Sequence, residues 1–357
     1  MDITCVVMAG GKGERFWPKS RTSLPKQFLN ISGSKSMIQQ SIARLELITD
    51  INKIFVVTNE LYAELIKAQI PHLPHENIII EPVGRNTAPC VGLAALLIEE
   101  RYPDSTMVVI PSDHIIGNEQ GFAKIIRTAA AIAGDKYLVT LGIKPTYPET
   151  GYGYIQSSGV DSVINELEVH RVERFVEKPG HELAVQYVES GNYYWNSGMF
   201  IWKLSTIRRS IQELMPDMHD VLESMKKGFE THDRLQVIKE EFPKMPDQSI
   251  DYGIMEKSSN ILMIPCMFGW DDVGSWTALD RIHEPDEDGN IIRGNILSLD
   301  TKRCIIESNG KLIATLGVED LIIVDTEDVT LICAKDKAQE IKLLLKELRA
   351  QKREEYL

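Results

Sequence analysis

The sequence predicts an α/β protein with a mixed, mostly parallel sheet covered by helices on both faces, followed by a small β-rich domain. Two observations support this fold class. Short apolar runs alternate with segments of helical spacing through the N-terminal part of the chain. Beyond Pro285, short β-rich runs alternate with Gly and Asp turns instead. We therefore predict one large domain over residues 1–284 and one small domain over residues 285–357.

The predicted elements of the large domain begin as strand and helix in turn. Buried strands are expected at 5–8, 53–58, 77–81, 106–110 and 137–142. Helices are expected at 37–45, 61–68, 89–98 and 122–130. An aromatic-rich strand is expected at 193–202, and residues 204–256 are expected to be mostly helical. Because ligands of such sheets bind at the carboxyl ends of the strands, we expect the site at that edge.

The small domain has the spacing of an all-β unit, for which a short left-handed β-helix or its remnant is the predicted form. Its strands are expected at 295–299, 304–307, 312–316, 321–324 and 329–334. A charged helix over 335–357 is expected to end the chain, with one apolar face formed by Ile341, Leu344, Leu345 and Leu348. We expect this face to pack on its own domain or to pair two chains as a homodimer.

Composition excludes several classes of function. The 357 residues carry a formal net charge of −13 without a basic tail or stripe, which argues against a nucleic-acid partner. No apolar run is long enough to span a membrane, and Met1 leads into a strand without a signal peptide. The five cysteines have neither the spacing of a disulfide framework nor that of a zinc site. We expect a cytoplasmic protein with reduced thiols.

One glycine-rich loop concentrates the candidate chemistry. The first strand stops at Gly10-Gly11, where the backbone can approach a ligand and turn its N–H groups toward an anion. The basic residues around this loop are Lys12, Arg15, Lys19, Arg21 and Lys26. The loop is neither a Walker loop, since Gly-Lys-Ser/Thr is missing, nor a dinucleotide fingerprint, since Phe16 occupies the place of its third small residue. A triphosphate is the expected ligand.

Carboxylates at two further places are candidate metal ligands. Asp113 follows the strand at 106–110, and Asp271 and Asp272 lie in the segment 266–276. Mg²⁺ typically takes one or two protein carboxylates and completes its shell with phosphate oxygens and water. In an extended segment two adjacent side chains point to opposite sides, so only one of Asp271 and Asp272 can face the metal. Asp113 alone could equally cap the helix predicted after it.

The loop motif G-G-x-G-x-R-[FL]-x-P-x-S, together with P-K-Q-F at 25–28, resembles the signature of sugar-1-phosphate nucleotidyltransferases. The variant Phe16-Trp17-Pro18 is similar to that of the mannose-1-phosphate guanylyltransferase branch. The resemblance implies a Rossmann-like sheet of the GT-A type. It also implies Mg²⁺-dependent transfer of GMP from GTP to α-D-mannose 1-phosphate, which yields GDP-mannose and pyrophosphate without a protein nucleophile.

The same resemblance implies roles for individual residues. The nucleotide-binding set is Ala9, Gly10, Gly11, Lys12, Gly13, Glu14, Arg15, Lys26, Glu81, Arg85, Asn86, Ala88 and Ser112. The set for the sugar phosphate is Gly151, Glu177, Lys178, Asn196, Gly198 and Asp251. The catalytic set is Arg15, Lys26, Asp113, Lys178 and Asp271, of which Asp113 and Asp271 hold the metal. Asp272 stays open as the alternative to Asp271.

Simpler structural explanations exist for some of these motifs. Asn86 or Thr87 could serve simply as a helix cap, with no role in binding. Residues 145–153 could be no more than a glycine-rich hairpin turn, and Glu177-Lys178 could be an ordinary exposed ion pair. Two other functions also stay open. One is a glucose-1-phosphate uridylyl- or thymidylyltransferase; the other is a non-catalytic protein that senses nucleotide sugars.

Overall fold

The computed structural model describes residues 2–357. The contacts within the chain separate it into two compact units. Unit 1 comprises residues 2–10, 41–112 and 116–270, and unit 2 comprises residues 11–40, 113–115 and 271–357. The domain boundary expected near residue 284 stays a prediction.

Unit 1 is built on a nine-stranded sheet in the order β3-β2-β1-β4-β9-β6-β10-β8-β7. The strands of the chain up to residue 271 are β1 Ile3–Met8, β2 Ile54–Asn59, β3 Ile78–Glu81, β4 Thr106–Pro111, β5 Ile115–Ile116, β6 Leu138–Ile143, β7 Tyr154–Ile164, β8 Leu167–Val176, β9 Tyr193–Lys203, β10 Ile261–Cys266 and β11 Trp270–Asp271. Only β8 and β9 run against the direction shared by the other strands of the nine-stranded sheet. The predicted mixed, mostly parallel sheet is confirmed.

Helices lie in many, but not all, of the connections between these strands. They are α1 Met37–Glu46, α2 Glu60–Gln69, α3 Thr87–Arg101, α4 Glu119–Ala133, α5 His181–Ser190, α6 Leu204–Leu214, α7 Pro216–Gly228 and α8 Arg234–Glu241. The main core of unit 1 joins residues of the central strands, such as Val6 and Val109, to residues of α3 and α7, such as Leu93 and Met218. Its burial removes apolar surface from water and so stabilises the scaffold that carries the strand ends.

Unit 2 contains a stack of short parallel strands. Its elements are α9 Leu279–Ile282, β12 Ile291–Arg293, β13 Ile296–Leu299, β14 Ile305–Glu307, β15 Ile313–Leu316, β16 Leu321–Asp325, β17 Thr330–Ala334 and α10 Ile341–Ala350. Strands β12, β14 and β16 stack in parallel, as do β13 and β15, while β17 pairs antiparallel with β16. The core of unit 2 joins these strands to the glycine-loop residues Phe16 and Trp17 and to Ile341 and Leu345 of α10.

The strands and helices predicted from apolar spacing are present with boundaries shifted by a few residues. The exception is the final helix, which covers Ile341–Ala350 rather than 335–357. Within it, Ile341 and Leu345 are buried but Leu344 is 46% exposed. Of the four apolar residues predicted to share one face of this helix, at most three therefore pack against unit 2. Within residues 2–357, no helix is both long and apolar enough to span a membrane.

Candidate active site

The glycine loop is built against the segment that carries Lys26. Gly13 has a φ of +61°, a left-handed conformation that glycine adopts without strain. A Cβ atom at Gly13 would lie 2.3 Å from Cβ of Lys26, so no other residue fits there. The Gln27 side-chain amide also donates a hydrogen bond to the carbonyl of Gly11 at 3.0 Å. The two pieces of the signature motif therefore form one local structure.

Lys26 connects the loop to both candidate metal-binding segments. The residue is only 4% exposed, and its Nζ donates to Oδ2 of Asp113 at 2.8 Å and to the backbone carbonyl of Asp272 at 2.7 Å. Burial alone would raise the pKa of Asp113, but the positive charge of Lys26, assisted by His114, lowers that pKa below its ordinary value. Asp113 is therefore ionised at neutral pH. The helix that follows is capped by Asn118, so Asp113 is not its cap.

These residues line a cavity of about 570 Å³ in unit 2, which we call the loop cavity. Its lining residues are Lys12, Gly13, Glu14, Arg15, Phe16, Lys26, Asp113, His114, Asp272, Gly274 and Lys342. Sequence reasoning missed Lys342, because it lies in an ordinary charged amphipathic helix without a local motif. The cavity thus brings predicted nucleotide-binding residues together with Asp113 and Asp272, which are one candidate metal ligand from each of the two carboxylate segments.

The adjacent residues Asp271 and Asp272 have different surroundings. Asp271 is 9% exposed, and its carboxylate accepts hydrogen bonds from Arg281 Nε at 2.5 Å and Nη2 at 3.0 Å, and from the Val273 N–H. Asp272 lines the loop cavity, and its Oδ1 accepts from the Gly274 N–H at 3.0 Å. Val273, which directly follows Asp272, has a φ of +50°, which is rare and strained for a β-branched residue.

The loop cavity is chemically suited to a hard divalent cation. Asp113 and Asp272 supply carboxylate oxygens, which Mg²⁺ prefers, and few protein ligands suffice when phosphate oxygens and water complete the shell. In the described part of the chain, no cluster of three or more His, Cys, Asp or Glu side chains has the arrangement of an all-protein metal site.

The remaining predicted nucleotide residues lie in unit 1. Glu81, at the end of β3, is 8% exposed, and burial raises its pKa to about 7 despite a hydrogen bond with Cys90. Its Oε1 has no hydrogen-bond partner among residues 2–357. A Cβ at Gly10 would lie 3.7 Å from its Oε2, so Gly10 and Glu81 are neighbours. Such a buried oxygen without a partner is available to a ligand donor.

The R-N-T-A segment forms the start of α3. Asn86 is the N-cap, with a φ of +67° and its Oδ1 accepting from the Thr87 N–H at 3.0 Å. Arg85 donates to the Pro243 carbonyl, and the N–H of the buried residue Ala88 donates to the Gln248 carbonyl. The capping explanation of Asn86 is therefore correct, and its proposed contact with the nucleotide would come in addition to that role.

Ser112 and Ala9 belong to the strand ends of unit 1. The Ser112 N–H donates to the Met8 carbonyl at 3.1 Å, and the Ala9 N–H donates to the Val57 carbonyl at 2.8 Å. Both residues are buried. These bonds hold the carboxyl ends of β1 and β4 next to each other, directly before Gly10 and Asp113 in the chain.

A second group, which we call the Asp251 cluster, consists of Glu177, Lys178, Asn196 and Asp251 in unit 1. Lys178 has a φ of +43° and forms an ion pair with Glu177. Asn196 Nδ2 donates to Asp251 Oδ1 at 2.9 Å. Burial, reinforced by the negative charge of Glu177, raises the pKa of Asp251 to about 6.

Two glycines complete the surroundings of the Asp251 cluster. The N–H of Gly198 donates to Oδ1 of Asn196 at 3.0 Å, which fixes the orientation of the asparagine amide. A Cβ at Gly153 would lie 2.5 Å from Oε2 of Glu177, so only glycine lets this carboxylate approach the backbone. Gly151 lies in the preceding turn, where its N–H donates to the Glu149 carboxylate at 2.7 Å.

Comparison with known proteins identifies the family. Residues 4–289 match the Nucleotidyl transferase family, and residues 294–348 match the MannoseP isomerase/GMP-like beta-helix domain. The chain is 40% identical over 354 residues to a mannose-1-phosphate guanylyltransferase of Klebsiella pneumoniae, covering 98% of this chain and 75% of that protein. It is 38% identical over 353 residues to the alginate biosynthesis protein AlgA of Pseudomonas putida, covering 98% and 72%.

A solved structure extends the likeness to three dimensions. The crystal structure of a Thermus thermophilus protein, described as a mannose-1-phosphate geranyltransferase, superposes with a TM-score of 0.88 at 31% identity. The superposition covers 98% of this chain and 100% of that one. The resemblance found in the glycine loop therefore extends over nearly the whole chain. The chain belongs to the mannose-1-phosphate guanylyltransferase family of nucleotidyl transferases.

Proposed function

We propose that this chain transfers GMP from GTP to α-D-mannose 1-phosphate, releasing pyrophosphate, with the help of Mg²⁺. The observation that carries the proposal is the loop cavity, in which Lys26 contacts the Asp113 carboxylate and the backbone of Asp272. The family supplies the reaction, and the cavity supplies groups suited to a metal-bound triphosphate.

The cations of the loop cavity would bind the triphosphate and steady the charge that moves to the leaving pyrophosphate. Lys12 and Arg15 are exposed and have no acidic partner among residues 2–357, so binding would require no existing ion pair to break. Arg15 suits bidentate contact with phosphate oxygens, whereas Lys26 acts as a compact charge fixed by its two acceptors. Preorganised charges of this kind stabilise a transition state without reorganising during the reaction.

Asp113 and Asp272 are the residues that we propose as metal ligands. When bound, Mg²⁺ would neutralise phosphate charge and draw electrons from the phosphorus that is attacked. Asp113 is suited to this because Lys26 keeps it ionised. We favour Asp272 over the predicted Asp271, because Asp272 faces the cavity while Arg281 occupies both oxygens of Asp271.

The Asp251 cluster is proposed to bind mannose 1-phosphate. Lys178 would meet the phosphate, and the carboxylates and amide of the cluster would accept and donate hydrogen bonds to sugar hydroxyls. In the proposed reaction, a phosphate oxygen of the sugar phosphate would attack the α-phosphorus in line, and the bond from that phosphorus to the departing pyrophosphate would break. Positioning would therefore supply much of the rate increase, with no covalent enzyme intermediate.

The test is pyrophosphate release with Mg²⁺ and mannose 1-phosphate, offering GTP, ATP, UTP and dTTP in parallel, and then glucose 1-phosphate with the same nucleotides. We expect GTP with mannose 1-phosphate to exceed every other pair. Higher release with glucose 1-phosphate and UTP or dTTP would instead assign the glucose-1-phosphate branch. Binding of a nucleotide sugar without release from any pair would assign a sensor.

A further inference from the structure

The C-terminal helix α10 is attached to the glycine loop within unit 2. Arg349 donates to Glu14 at 2.7 Å. The Tyr356 carbonyl, just beyond the helix, accepts from Trp17 Nε1 and from Arg21 Nη1, both at 2.7 Å. These contacts hold the helix beside the turn that carries Arg15.

Buried residues of α10 reinforce this attachment. Ile341 and Leu345 are nearly fully buried in the core that also contains Phe16 and Trp17. Lys342 directly follows Ile341 and is exposed, so its neighbours fix its backbone while its side chain stays in solvent. It is the one residue of α10 that lines the loop cavity, among the residues described.

The charges of the loop cavity leave three cations without a counter-ion. The cavity is lined by the basic residues Lys12, Arg15, Lys26 and Lys342 and the acidic residues Glu14, Asp113 and Asp272. Glu14 is paired with Arg349 from outside the cavity lining, and Asp113 is paired with Lys26. In the described part of the chain, Lys12, Arg15 and Lys342 have no ion-pair partner. The negative charges of a bound polyanion could pair with these three cations.

We propose that Lys342 is a polyphosphate-binding residue, contributed to the nucleotide site by the C-terminal helix. This inference rests on the proposed function, since it assigns the loop cavity to the triphosphate of GTP. Lys342 would contact the phosphates that leave as pyrophosphate, so it should affect GTP and pyrophosphate but not GMP. The C-terminal β-helix-like domain would then take part in substrate binding as well as in packing.

The experiment compares three variants. Lys342→Ala removes the cation, Lys342→Arg keeps it, and Lys346→Ala removes an equal charge from an exposed position of the same helix that does not line the cavity. We expect Lys342→Ala to raise KM for GTP, and KM for pyrophosphate in the reverse reaction, by about three- to tenfold. KM for mannose 1-phosphate should change little, Lys342→Arg should retain most of the affinity, and Lys346→Ala should resemble the unmodified protein.

Calorimetric titration with GTP, pyrophosphate and GMP gives a readout that does not depend on turnover. Weaker binding of GTP and pyrophosphate in Lys342→Ala, with unchanged binding of GMP, supports the assignment. Unchanged binding of all three ligands, or an equal loss in Lys346→Ala, overturns it. If the unmodified protein binds GTP and pyrophosphate but transfers no GMP, the proposed function fails, while the titrations still decide the role of Lys342.

Discussion

The loop cavity and the Asp251 cluster differ in how they balance carboxylates with cations. In the loop cavity, Asp113 has Lys26 as its partner, its pKa is lowered, and further cations remain unpaired among the described residues. In the Asp251 cluster, Glu177 and Asp251 share the single cation Lys178, and the pKa of Asp251 is raised to about 6. The first arrangement favours a ligand with several negative charges. The second favours a ligand rich in hydroxyl groups with one phosphate.

The largest expected effect comes from removing the charge of Asp113. Asp113→Asn keeps the size of the side chain but removes the negative charge that we assign to metal binding. Turnover should fall by about a hundredfold or more, which is roughly 3 kcal/mol of transition-state stabilisation, with little change in KM for mannose 1-phosphate. The measurement is the initial rate of pyrophosphate release across a Mg²⁺ titration. Asp104→Asn, on an exposed turn, is the control. If turnover of Asp113→Asn stays within threefold of that of the unmodified protein, Asp113 is not a metal ligand.

The next prediction separates Asp272 from Asp271. Asp272→Asn should lower turnover by about a hundredfold, because we assign its carboxylate to the metal in the cavity that Asp272 lines; stability should stay nearly unchanged, because asparagine keeps an oxygen that accepts the Gly274 N–H. Asp271→Asn should lower the free energy of unfolding by about 1–3 kcal/mol, because it removes the charge of a buried carboxylate that accepts hydrogen bonds from Arg281 and from the Val273 N–H. Urea unfolding and kcat measured on both variants distinguish the roles. The opposite pattern would restore Asp271 as the metal ligand.

In the Asp251 cluster, Lys178→Ala should weaken the binding of only one of the two substrates. Losing the single cation should raise KM for mannose 1-phosphate by about tenfold or more, as expected for a charge-assisted hydrogen bond, while KM for GTP stays nearly constant. Initial rates with each substrate varied in turn provide the check. An effect on GTP alone would mean that the two phosphate sites have been exchanged.

The smallest effect concerns stability and pH. Since the pKa of Asp251 in the folded state is raised to about 6, the folded protein binds the proton more tightly than the unfolded chain. Ionised Asp251 therefore destabilises the fold, and this cost develops as the pH rises from about 4 to about 6. As the pH rises through that window, the free energy of unfolding of Asp251→Asn should increase by about 1–2 kcal/mol relative to that of the unmodified protein. Above about pH 6 the difference between the two free energies should stay constant. Denaturant unfolding at pH 4, 5, 6 and 8 measures this; a difference independent of pH would contradict it.

Most of the fold was predictable because its buried strands are continuous apolar runs. Strands β1, β2 and β4 are buried over nearly their full length, which is the pattern that a sheet covered on both faces requires. Strand β7 was missed, because most of its residues from Ser158 onward are exposed and its pairing with β8 is interrupted by register shifts. Strand β7 pairs with both β8 and β9, so its position depends on long-range pairing rather than on a local apolar pattern.

The site was predictable where its residues lie in short motifs that can be recognised locally. The glycine loop, Lys26 and Asp113 share a cavity as the predicted phosphate and metal groups would require. The choice between Asp271 and Asp272 depends on the strained turn at Val273 and on the distant partner Arg281, neither of which a local pattern reveals. Lys342 enters the cavity through the packing of α10, so its position depends on tertiary structure alone.

The contact between Gly13 and Lys26 bears on how such a site can be moved between proteins. Because a Cβ at Gly13 would overlap the Lys26 side chain, the backbone of the loop and that of the Pro25–Phe28 turn are mutually fitted. Neither segment carries its active shape by itself. A glycine loop placed on another parallel sheet would therefore present a fixed lysine only together with the Pro25–Phe28 turn and with the two acceptors of Lys26, which are the Asp113 carboxylate and the Asp272 carbonyl.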